Sequence, residues 1–233
     1  MDGGARLSLW GRRGLATLAA TCAMAGIGRA QGDDCDVKAG PPSADFEHYA
    51  SEQWPREAER FKDSRENVSR ESTRLQLKLE KGDTVTLADC PRGEDAHVFL
   101  YERYDEAGRF YVVRRPAFKD FSYTLVMRAT GKQYTVYGTP IWTQDKARFL
   151  TVACSWLPPR GTLTVHAPAS GGIATEAEIP LRTCLDETET CTARWDNPSW
   201  ISVTCTRSDG SSRKGSEFVV LKGSDGVWKT FGR

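Results

Sequence analysis

Four times along this chain of 233 residues, two segments of alternating apolar and polar residues flank a glycine-bearing turn. Leu75-Gln76-Leu77-Lys78-Leu79 leads through Lys81-Gly82-Asp83 into Thr84-Val85-Thr86-Leu87, and Tyr123 to Met127 leads through Thr130-Gly131-Lys132 into Tyr134 to Tyr137. Leu163-Thr164-Val165 passes Gly171-Gly172 into Ile173 to Ile179, and Phe218 to Leu221 passes Asp225-Gly226 into Val227-Trp228. A period of two places alternate side chains on one face of a strand. Glycine reaches the positive φ of a tight hairpin without a steric penalty. The pattern predicts antiparallel β-structure from Leu75 onward, with about thirteen strands by the same signals. Gly82, Gly131, Gly172 and Gly226 stand 49, 41 and 54 residues apart, a spacing close to that of a propeller blade.

A second recurrence runs in the same register. Trp142-Thr143-Gln144-Asp145 precedes Phe149 to Cys154, while Trp195-Asp196-Asn197-Pro198 precedes Trp200 to Cys205. Each reads as tryptophan, polar turn, strand, cysteine. Leu150, Val152 and Cys154 share one strand face, as do Ile201, Val203 and Cys205. Packing between units is the ordinary role of Trp142 and Trp195 in such a pattern.

The stretch Thr139-Pro140-Ile141-Trp142-Thr143-Gln144-Asp145-Lys146-Ala147-Arg148-Phe149 resembles the "PxxSPDGKxF" signature of WD-like repeats. The approach through Tyr123 to Val126, Gly131 and Tyr134 is similar to that in uncharacterised exported bacterial proteins with such β-propeller repeats. The resemblance spans about Leu75 to Phe231. It departs from the pattern in lacking proline before Asp145 and glycine after it. The fold it implies is all-β: antiparallel propeller-like repeats, forming a small or incomplete propeller, with a β-sandwich as the alternative.

The N-terminal end reads differently. Arg12 and Arg13, the apolar run Leu15 to Ala25, and Gly28 and Ala30 follow the layout of an export signal cleaved after residue 30. Eleven or so apolar residues fall short of the ~20 a spanning helix needs, so no membrane span remains after cleavage. The basic pair leaves general secretion and twin-arginine export both open. Removing Arg6, Arg12, Arg13 and Arg29 against Asp2 takes the formal net charge from +1 to −2. Nothing in that interspersed charge favours nucleic acid. Residues 31–54, rich in Gly, Pro, Asp and Ser, predict an extended lead-in. Ala58, Phe61, Arg65 and Val68 predict a short helix beginning at Pro55, the start of a single β-rich domain over residues 55–233.

Seven cysteines become six once Cys22 leaves with the signal, and an even count in an exported chain predicts disulfides. The expected pairs are Cys35 with Cys90, Cys154 with Cys205, and Cys184 with Cys191. No C-x-x-C or Cys/His cluster supports a metal site, and no cofactor is expected.

Catalytic signatures are missing. His48, His97 and His166 stand outside any H-E-x-x-H or nucleophile pattern, and no G-x-S-x-G occurs. Asp186, Glu187 and Glu189 read as a solvated loop. The expectation is a protein that is not an enzyme. Binding falls to Trp156, Leu157 and Arg160 in the apolar loop Ser155 to Gly161, together with Trp200 beside Asn197-Pro198. The class these features favour is a periplasmic or secreted binding or interaction module whose partner is an envelope protein or glycan. An envelope hydrolase with dispersed carboxylates and a secreted hydrolase inhibitor are the alternatives.

Overall fold

The computed structural model describes residues 44–64, 66–90, 96–117, 121–154, 161–181, 189–207 and 216–232. A helix, α1 (Ala44–Arg60), and a 3₁₀ turn (Phe61–Asp63) precede fifteen strands among these residues. The first sheet contains β1 (Val68–Glu71), β2 (Arg74–Lys78) and β3 (Thr84–Ala88). The second contains β4 (Leu100–Asp105), β5 (Phe110–Pro116), β6 (Phe121–Met127) and β7 (Gln133–Val136). The third contains β8 (Ile141–Trp142), β9 (Phe149–Ala153), β10 (Thr162–Ala169) and β11 (Gly172–Pro180). The fourth contains β12 (Glu189–Asn197), β13 (Trp200–Arg207), β14 (Ser216–Lys222) and β15 (Trp228–Gly232). The protein is all-β apart from α1 and the 3₁₀ turn, and each strand pairs antiparallel with the next in its sheet. The strands divide among four sheets, not the two facing sheets of a sandwich.

The glycine turns fall where the alternation placed them. Gly82, Gly131 and Gly226 have φ of 92°, 72° and 77°, and each joins the last two strands of its sheet. In the third sheet Gly171 carries the positive φ, 75°, because Gly172 already opens β11. The two tryptophan units are the first hairpins of the third and fourth sheets.

Middle and end sheets differ in what their faces carry. All four residues Phe110 to Val113 of β5 are buried. Phe110 and Val112 join a cluster with Leu125 and Phe149 toward the third sheet, while Tyr111 and Val113 join Leu75, Leu77 and Leu87 of the first. A third cluster joins Leu150, Leu163 and Val165 to Ile201, Val203 and Val220 of the fourth sheet. Each such side chain fully removed from water contributes roughly 1.5–3 kcal/mol. The outer face of the first sheet carries the register row Ser69, Gln76 and Thr86, with Lys78 and Thr84. Among the described residues no cluster, hydrogen bond or ion pair joins the first sheet to the last.

Both repeated tryptophans link neighbouring sheets. Trp142 Nε1 donates to Asp105 Oδ2 of the second sheet at 2.9 Å, and Trp195 Nε1 donates to the Ile141 carbonyl of the third at 2.8 Å. Between β7 and β8, Gly138 has φ 105°, and a Cβ there would lie 2.5 Å from the Val152 carbonyl oxygen. Only glycine fits that crossing.

The helix begins eleven residues earlier than expected, so residues 44–54 are helical instead of extended, Pro55 is internal, and Val68 opens β1. Ala50, Trp54 and Glu57 form the inward stripe, Ala50 and Trp54 against Val98 and Leu100. A buried carboxylate at the third position of that stripe breaks the apolar spacing by which helices are recognised.

The disulfide of the described residues joins Cys154 to Cys191, with Cα atoms 5.6 Å apart at a sequence separation of 37. This overturns Cys154–Cys205 and Cys184–Cys191. The expectation placed the bond between the correct sheets but on the wrong strand: β12 is the strand of the fourth sheet that lies beside β9, and Cys205 on β13 sits opposite Cys191, one strand farther out. Cys90 and Cys205 are disulfide-bonded as well. Cys35, Cys184 and residues 1–30, expected to be an export signal, lie outside the described residues. No helix of the described residues is long and apolar enough to cross a membrane. The disulfide is compatible with an extracytoplasmic protein.

Candidate functional site

Of the residues singled out for binding, Trp156, Leu157 and Arg160 lie outside the described residues. Trp200 is described, and it stands on the outer face of the fourth sheet with 37% of its surface exposed. The period of two explains the position. Ile201, Val203 and Cys205 of β13 turn toward the third sheet, so Trp200, Ser202 and Thr204 turn outward.

Register fills in the rest of this face. Trp200 lies beside Leu221 and then Lys229; Ser202 lies between Arg194 and Val219, with Phe231 beyond; Thr204 lies between Thr192 and Glu217. Phe231 is 47% exposed, so two large aromatic side chains share the face. Small hydroxyl residues leave a hollow of about 330 Å³ whose outward side chains are Thr192, Arg194, Ser202, Thr204 and Glu217. Its polar groups are held in place. Asp196 accepts from Arg194 Nε at 3.1 Å and from the Ser202 hydroxyl, and Thr190 and Thr206 share a hydroxyl bond of 2.9 Å. At the β14–β15 turn, Lys229 and the Val227 N–H bond to Asp225 and hold its carboxyl below the usual range.

Sequence reasoning found Trp200 but missed Phe231. The signal was present in Trp228-Lys229-Thr230-Phe231, where alternation opposes Phe231 to the inward Trp228. The hollow had no such signal, because it follows from the register of three strands.

The titratable groups elsewhere are spent on structure. His166 is buried, stacked on Phe149 at 4.7 Å, and its Nε2 lies 3.2 Å from Thr151 Oγ1. Burial drives its pKa down to about 4. His97 bridges Cys90 and Ala117, and His48 is an exposed neighbour of Glu52. Asp89 is raised to about 6, by burial first, against the lowering effect of Arg70 and the Phe99 N–H. Its two oxygens are taken by the Phe99 N–H at 2.8 Å and Arg70 Nη1 at 2.7 Å. Glu57, fully buried, accepts from Arg70 Nε at 2.6 Å and from the Tyr101 N–H at 2.6 Å. These acids and this base therefore fasten α1 and β1 to the start of the second sheet. Among the described residues no group of three His, Cys, Asp or Glu side chains is placed to hold a metal ion. The chain matches no family model, no curated protein and no solved structure.

Proposed function

We propose that the chain is an exported, periplasmic or secreted binding module of propeller-like build that holds an envelope glycan on the outer face of its last sheet. The WD-like resemblance and the four consecutive up-and-down sheets support the build; the export signal and disulfides support the compartment. The observation that carries the function is the pairing of the hydroxyl-lined hollow with exposed Trp200 and Phe231 on one face.

The layout favours sugar over protein. Protein interfaces concentrate binding energy in aromatic and arginine anchors at a dry centre, where Ser and Thr are under-represented. Here Thr192, Ser202 and Thr204 occupy the hollow, with Trp200 and Phe231 beside it. A pyranose ring presents hydroxyls at its edge and C–H groups on its face. The first suit Arg194, Glu217 and the hydroxyls; the second suit the flat aromatic surfaces.

The test uses the oxidised mature chain from Gln31 and purified envelope polysaccharide. Saturable binding that drops at least tenfold in Trp200→Ala and Phe231→Ala, with the fold kept, is the expected result. Binding only to an envelope fraction that loses its capacity on protease treatment would assign the face to a protein partner instead.

A further inference from the structure

A second recess, of about 480 Å³, lies between the end of α1, the turn before β1 and the second sheet. Three arginines, Arg60, Arg103 and Arg128, and three tyrosines, Tyr101, Tyr104 and Tyr111, line it. Their present partners separate the arginines sharply. Arg60 Nη1 donates to Glu102 at 3.1 Å, and Glu102 is also 2.9 Å from Arg114 Nε. Arg103, with 44% of its side chain exposed, lies 3.9 Å from Asp105.

Arg128 has no carboxylate within ion-pairing distance among the described residues. Of its five N–H donors, one reaches Asn67 Oδ1 at 3.1 Å, while the buried Nε has no acceptor. The guanidinium lies over the Tyr104 ring, 5.3 Å from its centroid. A carboxylate was available close by. The Glu80 backbone N–H donates to the Arg128 carbonyl at 3.0 Å, yet the Glu80 side chain turns to Arg109, itself 66% exposed, at 2.6 Å. A brace between sheets would be completed by that acid. The arrangement instead leaves a guanidinium over an aromatic ring at the recess wall with donors to spare.

The tyrosines are fixed for a different task. Tyr101 and Ser64 share a hydroxyl bond of 2.7 Å, and the Tyr111 hydroxyl donates to the Lys78 carbonyl. Tyr101 and Tyr111 are each 1% exposed and form the floor beneath the recess, so the aromatic surface left at its wall is the half-buried Tyr104. Glu106 adds one carboxylate to the lining, so the three guanidiniums outnumber the acids, of which Glu102 is already engaged.

We propose that this recess binds a small oxyanion, a phosphate or carboxylate, borne on a planar ring. The two oxygens match the forked donors of Arg128, with Arg103 as the second cation, and the ring lies against the exposed side of Tyr104. The site is independent of the last-sheet face.

The experiment titrates oxidised mature protein with phenyl phosphate, benzoate, inorganic phosphate and phenol, followed by calorimetry and amide chemical shifts. One of the two charged ring probes saturates at one per chain, at least tenfold tighter than inorganic phosphate, and phenol does not bind. The tighter of phenyl phosphate and benzoate identifies the oxyanion. Arg128→Gln lowers affinity at least tenfold and Arg103→Gln severalfold. If Arg128→Gln does not fold, Arg128→Lys, which keeps charge but loses the fork, decides by the same loss. Absence of saturation by both charged ring probes at millimolar concentration overturns the proposal. So does undiminished affinity in a folded Arg128 variant.

Discussion

Where α1 and the first sheet meet the second, a buried ionic network sits beside the apolar cluster: Arg70 Nε and Nη1 bond Glu57 and Asp89 at 2.6 and 2.7 Å, all three side chains nine-tenths or more buried, and the two acids accept the Tyr101 and Phe99 N–H groups. Where the third sheet meets the fourth, the fully buried contacts are apolar and covalent, with Leu163, Val165, Ile201 and Val203 at under 2% exposure and Cys154 bonded to Cys191 beside them, while the one ion pair across the junction among the described residues, Lys222 with Glu176, keeps about a fifth of each side chain exposed. Apolar burial is non-directional and tolerates sliding. A buried arginine holding two carboxylates and the Phe99 carbonyl is satisfied in one arrangement. The first junction needs that specificity, because α1, packed on Val98 and Leu100 at the start of the second sheet, has to be aligned with a separate first sheet. The last junction obtains its alignment from the bond between β9 and β12.

The largest effect expected of a single substitution follows from this contrast. Arg70→Met strands Glu57 and Asp89 as buried acids and should cost roughly 3–5 kcal/mol in urea unfolding. Replacing Glu57, Arg70 and Asp89 together with apolar residues of similar volume should recover most of the loss, because the desolvation penalty disappears along with the attraction. If the triple replacement is as unstable as Arg70→Met, the junction depends on geometry that apolar packing cannot supply.

Next in size is the double variant Cys154→Ala with Cys191→Ala. Releasing a loop of 37 residues removes about 4 kcal/mol by loop-closure entropy. The two junctions lie in different sheet pairs, so this loss and that of Arg70→Met should add to within about 0.5 kcal/mol. A larger departure, measured on the combined variant, would show that the four sheets do not divide energetically as they do in space.

The legibility of these two regions in the sequence was unequal for the same reason. The last junction is made of alternating apolar residues and glycine turns, both local signals, so β9, β10 and β13 and their inward faces followed from Phe149 to Cys154, Leu163 to Val165 and Trp200 to Cys205. The disulfide partner did not follow, since choosing Cys191 over Cys205 requires knowing which strand lies beside β9. The first junction was hidden. Glu57 and Arg70 read as members of the alternating-charge run Arg56 to Arg74, Asp89 carried no signal, and the three become a network only when α1, β1 and the segment before β4 converge. Of the candidate site, Trp200 was legible from its place in a repeated unit, whereas the hollow depends on a three-strand register that no short motif carries.

Acid separates the two regions by sign. Asp89, raised from an ordinary value of 3.8 to about 6, contributes stability that is complete below about pH 4 and is lost as pH rises through 6. His166 in the third sheet, lowered from 6.5 to about 4, contributes stability that is complete above 6.5 and is lost as pH falls toward 4. Each amounts to about 3 kcal/mol over its window, so between pH 6 and 4.5 the two nearly cancel in the parent protein. Asp89→Asn should then lose stability on acidification, and His166→Phe should gain it. Thermal or urea midpoints at pH 6.5 and 4.5 for the three proteins check this; parallel slopes would mean that neither group titrates as its surroundings dictate.

The smallest expected effect concerns the two end faces. The first sheet closes the stack with Ser69, Gln76 and Thr86, residues content in water, whereas the last ends on Trp200 and Phe231, both more than a third exposed. More than half of each ring's surface is still covered, so Trp200→Ala and Phe231→Ala should each lower unfolding free energy by roughly 1–2 kcal/mol. Trp195, whose indole packs against Trp228 at 5.9 Å and bonds the neighbouring sheet, marks what a tryptophan retained for folding looks like in the same sheet. A loss above about 3 kcal/mol at Trp200 would mean that the folded chain already covers this face, leaving it closed to a glycan. A modest loss of stability combined with lost polysaccharide binding would leave recognition as the reason these rings face outward.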